Sequence, residues 1–99
     1  MPTDRPAIVL DPLDNVATAL RDLAAGQSVE VGRESVTLAA DIPLGHKFAL
    51  RPIAKDEAVI KYGQPIGRAT AAIKPGEHVH VHNVASARAG RDEGVGSWG

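Results

Sequence analysis

The sequence predicts a small, mainly β domain with one α-helix. Pro and Gly interrupt the chain roughly every ten residues between residues 26 and 76, which is typical of short strands joined by tight turns. Several segments between these breaks alternate apolar and polar residues, as half-buried strands do. One stretch near the N-terminus instead spaces its apolar residues three and four apart, the pattern of an amphipathic helix.

The first strand is predicted at Ala7–Leu10, a short run with two β-branched residues that ends at Asp11-Pro12. The helix follows, between the favourable N-cap pair Asp14-Asn15 and a C-terminal stop at Gly26. Its apolar face is formed by residues at i, i+4 and i+7: Val16, Leu20 and Leu23.

After Gly26 the apolar period changes from 3.6 to 2. Ser28–Val31 and 35–38 alternate on either side of Gly32-Arg33, which predicts a β-hairpin. Further strands are predicted over 58–62, 66–73 and 77–84. Gly67 within the second of these indicates a bulge or a point of close approach.

Length and composition predict one domain, without internal repeats, over residues 1–84 and a flexible tail over 85–99. Trp98 near the end of the tail is either an irrelevant terminal residue or an anchor for a partner.

Charge and composition exclude several classes of protein. The formal net charge is −1 and aromatic residues make up 3% of the chain, which argues against nucleic-acid binding and against a polybasic membrane-surface protein. There is no cysteine, so disulfides, thiolate metal sites and a cysteine nucleophile are excluded. No segment has the length of a membrane helix, and the expected location is the cytoplasm.

All four histidines lie in two short segments, at His46 and at His78, His80 and His82. Alternate residues of a strand share a face, so the last three would point to one side. Two of them together with His46 predict a metal or catalytic site, because imidazole binds Fe(II), Mn(II) or Zn(II). The alternative is a solvated polar face.

Two lysines lie close to glycines in the same half of the chain, Lys47 near Gly45 and Lys61 near Gly63. Glycine allows a ligand to approach the backbone closely, and lysine beside a metal site suits an anionic substrate or general-base catalysis. Tyr62 is a candidate acid or base, or a half-buried strand aromatic. Each lysine could also be an ordinary surface charge.

Four segments together resemble the altronate and galactarate dehydratases. They are D-N-V-A at 14–17, G-H-K-F-A-L at 45–50, K-Y-G-x-P-I-G at 61–67 and E-H-V-H-x-H-N at 77–83. More closely, the chain resembles the small N-terminal module of these enzymes, a SAF domain of β-clip fold, over about residues 7–84. Relatives often have histidine where this chain has Asp11.

This resemblance implies a lyase that removes water from an aldonic or aldaric acid, such as altronate or galactarate, with a divalent metal, commonly Fe(II) or Mn(II). It also implies a large dehydratase subunit as the partner. Sulfolactate sulfo-lyase has a similar small subunit, so the substrate stays open. The chain could instead be a non-catalytic SAF module that binds sugar acids, or a metal-storage or metal-sensing domain. Exposed strand edges favour a homo-oligomer.

The family resemblance and the residue pattern together suggest roles for individual side chains. His46, His78 and His82 are the predicted metal ligands, and Lys47 and Lys61 pair with the substrate carboxylate or remove its α-proton. The acid that assists loss of the β-hydroxyl is His80 or Tyr62. Gly63 and Asn83 complete the predicted substrate site, and Asn83 is also expected to orient an imidazole.

Overall fold

The computed structural model describes residues 5–86, which form nine antiparallel strands and no helix. β1, β2, β5 and β8 form a four-stranded sheet in that order, β3 and β4 form a hairpin, and β6, β7 and β9 form a three-stranded sheet. The strands are β1 (Ala7–Ile8), β2 (Val16–Ala19), β3 (Ser28–Val31), β4 (Glu34–Thr37), β5 (Lys47–Ala49), β6 (Ala58–Lys61), β7 (Gln64–Ala69), β8 (His78–Val79) and β9 (Val84–Ser86). No helix in this part of the chain could cross a membrane.

The predicted helix is wrong, because its first turn is strand β2. Val16–Ala19 pairs with β1 on one side and with β5 on the other. Three of these four residues are buried, so this strand lacks the apolar–polar alternation of an edge strand, and short apolar runs are ambiguous between helix and strand. Leu23 forms an isolated bridge with Ile42 instead of extending a helix.

The two predicted N-cap residues hold the β6–β7 hairpin. Asn15 donates its side-chain amide to Ala58 O at 2.9 Å, and its Oδ1 accepts the Ile60 amide at 2.8 Å. Asp14 Oδ1 accepts the amide of Gly63 at 2.8 Å. Both residues are buried, and they tie the start of β2 to the second half of the chain.

The predicted first strand, the hairpin at 28–38 and the strand ending near residue 62 are confirmed as β1, β3–β4 and β6. Gly67 is confirmed as a point of close approach, because a Cβ atom there would lie 2.3 Å from Ala85 O on β9. The pairing of β6 with β7 shifts between Val59 and Ile60. β9 includes Ala85 and Ser86, which were predicted to belong to the tail. Trp98 lies outside the described residues.

One turn occurs four times, although the sequence shows no repeat. Its third residue has positive φ in each copy: 86° at Gly26, Gly45 and Gly76 and 74° at Asp56. The amide of that residue donates to a backbone carbonyl at a strand end, as the Gly76 amide does to Ala49 O at 2.8 Å. The amide of the accepting residue donates in return to the carbonyl of the next turn residue, as the Ala49 amide does to Glu77 O at 3.0 Å. The chain therefore contains two similar halves, each closed by an isolated bridge, Leu23–Ile42 and Ile53–Ile73.

The core consists of two clusters on opposite faces of the four-stranded sheet. Phe48 lies in the first, together with residues of β1, β2 and the β3–β4 hairpin. Val79 lies in the second, together with Val16, Ala49 and residues of β6 and β7. Phe48 and Val79 are fully buried on the adjacent strands β5 and β8. The two strands that carry the histidines are therefore fixed by both clusters.

Candidate metal and substrate site

The histidine-rich segment is a short strand followed by a turn. β8 ends at Val79, so the strand predicted over 77–84 is confirmed only at His78–Val79, and its continuation to residue 84 is wrong. Asn83 closes the turn: its Oδ1 accepts the His80 amide at 3.0 Å, and its Nδ2 donates to His78 O at 2.9 Å. Asn83 thus positions His78 and His80 through their backbone, whereas we predicted a hydrogen bond to an imidazole.

This turn brings three imidazoles together. His46 precedes β5, which pairs with β8, and its Nδ1 lies 2.9 Å from His78 Nε2. The rings of His46 and His80 are stacked with centroids 4.3 Å apart. One ring nitrogen from each of His46, His78 and His80 lies within 4.8 Å of the other two.

His82 lies beside this group. Its ring centroid is 5.4 Å from that of His78, and the two rings are tilted by 36°. The structure thus groups His80, predicted as a catalytic acid, with His46 and His78, and leaves His82, predicted as a ligand, at the edge. His82 lines an open cavity of about 290 Å³ together with Ala39, Ala40, Glu77, His78 and Asn83.

Burial and neighbouring charges favour the neutral form of His78, His80 and Lys47. Burial lowers the pKa of His78 and of His80 below the ordinary value, and the neighbouring imidazoles and Lys47 lower both further. Burial also lowers the pKa of Lys47, and the charge of Lys61 adds to this effect. Neutral imidazole is the form that binds a metal ion.

Three imidazoles at this spacing fit a first-row divalent ion. Nitrogen donors of this kind suit iron, manganese or zinc, and the three ring nitrogens are near enough to share one ion after small ring rotations. No carboxylate belongs to this group among the described residues. The residues present can therefore hold a divalent ion while other coordination positions stay open.

The two lysines lie on adjacent parts of the same site. Lys47 on β5 is opposite Thr18 on β2 and Val79 on β8. Lys61 ends β6, near enough for its charge to affect Lys47. The site is therefore cationic next to the imidazole group.

Tyr62 and Gly63 form the turn between β6 and β7. Tyr62 is 43% exposed, and Lys61 Nζ lies 4.9 Å from its ring centroid. Asp11 lies against this turn: a Cβ atom on Gly63 would lie 2.7 Å from Asp11 Oδ2.

Sequence reasoning missed the part played by Asp14 and Asn15, which hold the turn that carries Lys61, Tyr62 and Gly63. Both were interpreted as helix caps. An acid and an amide beside an apolar run are also found where side chains bind exposed strand amides and carbonyls, but only the tertiary structure distinguishes the two roles.

Comparisons with known proteins agree with this architecture. Residues 5–87 match the family model described as the altronate/galactarate dehydratase SAF domain. The chain is 58% identical over 76 residues to altronate dehydratase of Escherichia coli (strain K12), which covers 77% of this chain and 15% of that protein. Altronate dehydratase of Bacillus subtilis (strain 168) is 46% identical over 70 residues, 71% of this chain and 14% of that protein.

A smaller relative is also similar. The (2R)-sulfolactate sulfo-lyase subunit alpha of Chromohalobacter salexigens is 60% identical over 47 residues, 48% of this chain and 50% of that protein. This chain thus spans a small part of the altronate dehydratases and about half of this sulfo-lyase subunit. The match over residues 5–87 shows that the chain belongs to the family of altronate/galactarate dehydratase SAF domains.

Proposed function

We propose that this chain is the small component of a sugar-acid dehydratase that removes water from an aldonic or aldaric acid such as altronate or galactarate. The observation that carries this proposal is the group formed by His46, His78 and His80 next to Lys47 and Lys61. Imidazoles that hold a divalent ion beside two ammonium groups suit a carboxylate substrate with hydroxyl groups.

In this proposal His46, His78 and His80 hold the ion, with Fe(II) or Mn(II) favoured and Zn(II) as the alternative. When bound, the ion supplies Lewis-acid stabilisation of the negative charge that develops on the substrate carboxylate. We place His80 among the ligands because its ring nitrogen lies with those of His46 and His78.

The remaining side chains transfer protons and bind the substrate. Lys47 removes the proton α to the carboxylate, because its lowered pKa increases the fraction of free amine. Lys61 binds the substrate carboxylate. His82 lies at the open cavity and delivers a proton to the β-hydroxyl, which leaves as water. The product is an enol that becomes the 2-keto-3-deoxy acid.

A larger partner subunit completes the active site. The cavity beside the histidines is open, whereas sites for small polar molecules usually enclose most of the ligand. The relatives support a partner, since one is named as a subunit alpha and the altronate dehydratases are much longer than this chain.

The test is dehydration of D-altronate and galactarate by this chain together with a larger dehydratase subunit from the same organism, followed as the 2-keto-3-deoxy product. We expect turnover only when both chains and a divalent ion are present, and loss of turnover in Lys47→Ala. If the chain binds D-altronate but forms no product with any divalent ion or larger subunit, it is instead a binding module.

A second candidate substrate is (2R)-sulfolactate. It is favoured by the 60% identity to a sulfo-lyase subunit alpha, and its carboxylate or sulfonate would also bind the Lys61 ammonium. The same assay decides between the two: release of sulfite from sulfolactate, without dehydration of either sugar acid, would favour the sulfo-lyase.

A further inference from the structure

Tyr62 has an unusual backbone conformation for a large side chain. Tyr62 and Gly63 connect the paired residues Lys61 and Gln64, and both have positive φ, 55° and 77°. Two-residue hairpin turns of this kind strongly favour Asn, Asp or Gly at the first position, because a bulky side chain is strained in the left-handed region. The chain therefore accepts strain at Tyr62.

The fold explains the glycine of this turn but not the tyrosine. Gly63 suits its φ of 77°, and a Cβ atom there would also displace the Asp11 carboxylate; its amide is bound by Asp14. Tyr62 is 43% exposed, and its hydroxyl has no hydrogen-bond partner among residues 5–86. Hydrogen bonding thus provides no reason to prefer tyrosine over asparagine at this position.

The Tyr62 ring contacts the side chain of Lys61. Lys61 Nζ lies 4.9 Å from the Tyr62 ring centroid, within the range of a cation–π interaction. Lys61 is also close to Lys47, and two like charges in one site repel each other. A long lysine side chain at the end of a strand would otherwise turn towards solvent.

We propose that Tyr62 is a positioning residue whose ring holds the Lys61 ammonium in the site, so that it faces the substrate carboxylate while Lys47 faces the α-proton. This inference rests on the proposed function, and it makes the strained backbone at Tyr62 part of substrate recognition. Strained residues of this kind cluster at ligand-binding sites.

The test compares Tyr62→Phe, which keeps the ring, with Tyr62→Asn, which favours the turn and removes the ring. NMR measures the ring-current shift of the Lys61 ε-methylene protons, and titration measures the dissociation constant for D-altronate. In Tyr62→Asn we expect a higher Tm, loss of the Lys61 shift and binding weakened about fivefold. Tyr62→Phe should match the wild type in all three.

Asp56→Gly is the matched control, because it removes left-handed strain at φ 74° in another turn. It should raise the Tm and leave the Lys61 shift and D-altronate binding unchanged. Equal loss of binding in Tyr62→Phe and Tyr62→Asn would overturn the proposal and assign the function to the hydroxyl. Unchanged Lys61 shifts in Tyr62→Asn would also overturn it. If the wild type binds no D-altronate even with the larger subunit and a divalent ion present, the proposed function fails for this chain, while the Lys61 shifts still decide the position of the ammonium.

Discussion

At the scale of single residues, the histidines link the site to the pH dependence of stability. The pKa values of His78 and His80 lie below the ordinary 6.5 in the folded chain. Below pH 6.5 the unfolded chain therefore binds more protons than the folded chain, and stability falls as the pH decreases through that window. Above pH 6.5 the contribution of these two histidines to stability is fully present.

We accordingly expect the Tm of the metal-free chain to fall between about pH 7 and pH 5. A His78→Gln/His80→Gln variant should lose less over the same range, because it lacks the two groups that gain protons on unfolding. Thermal denaturation followed by circular dichroism at several pH values measures the difference. Parallel curves for the two proteins would show that other groups cause the pH dependence.

Lys47, which we propose as the catalytic base, is expected to lower the stability of the fold. It is partly buried opposite Thr18 and Val79, and burial lowers its pKa. Lys47→Met keeps the aliphatic stem and removes a partly buried charge, so we expect a higher Tm together with loss of dehydration. Lys55→Met, at an exposed position, is the control and should change neither. A lower Tm in Lys47→Met would indicate that the ammonium stabilises the fold.

At the scale of elements, the repeated turn explains why glycine recurs. A Cβ atom on Gly76 would lie 2.1 Å from Thr37 O, and φ there is 86°. Gly76→Ala should therefore destabilise the chain by about 2 kcal/mol or more. Asp56→Gly in the equivalent turn should stabilise it by about 1 kcal/mol, since its exposed ion pair with Arg68, at 3.9 Å, contributes little. Urea denaturation measures the free energy of unfolding of both variants. Equal changes in the two variants would contradict the expected difference between the turns.

The strands that could be predicted are those with one exposed face. Ser28–Val31 alternates exposed and buried residues, so its period is visible in the sequence. β2 is buried on both faces, and its spacing matched a helix. The repeated turn was not visible because it depends on backbone hydrogen bonds and φ, which different residues satisfy.

The candidate site was also only partly predictable from the sequence. Four histidines in two segments indicated a cluster, and their neighbours indicated a cationic surface. The grouping of His80, rather than His82, with His46 and His78 depends on the turn closed by Asn83, which interrupts the strand. The proximity of Lys61 to Lys47 depends on the packing of β6 against the four-stranded sheet, which no local pattern encodes.

At the scale of the whole molecule, the four-stranded sheet joins the two similar halves, and β5 and β8 lie side by side in it. That junction carries His46, Lys47 and His78, so the chemistry lies where both core clusters fix the backbone. Rigid support of this kind is what a metal or substrate site requires. The open cavity at this junction is the surface that a larger subunit would cover.

The proposed site depends on a divalent ion held by His46, His78 and His80, and not by His82. Counting the Mn(II) or Fe(II) ions bound by the untagged chain and by four single His→Ala variants tests this assignment. We predict about one ion per chain in the wild type and in His82→Ala, and loss of binding in His46→Ala, His78→Ala and His80→Ala. Full binding in those three variants, or loss confined to His82→Ala, would show that these three imidazoles do not hold the ion.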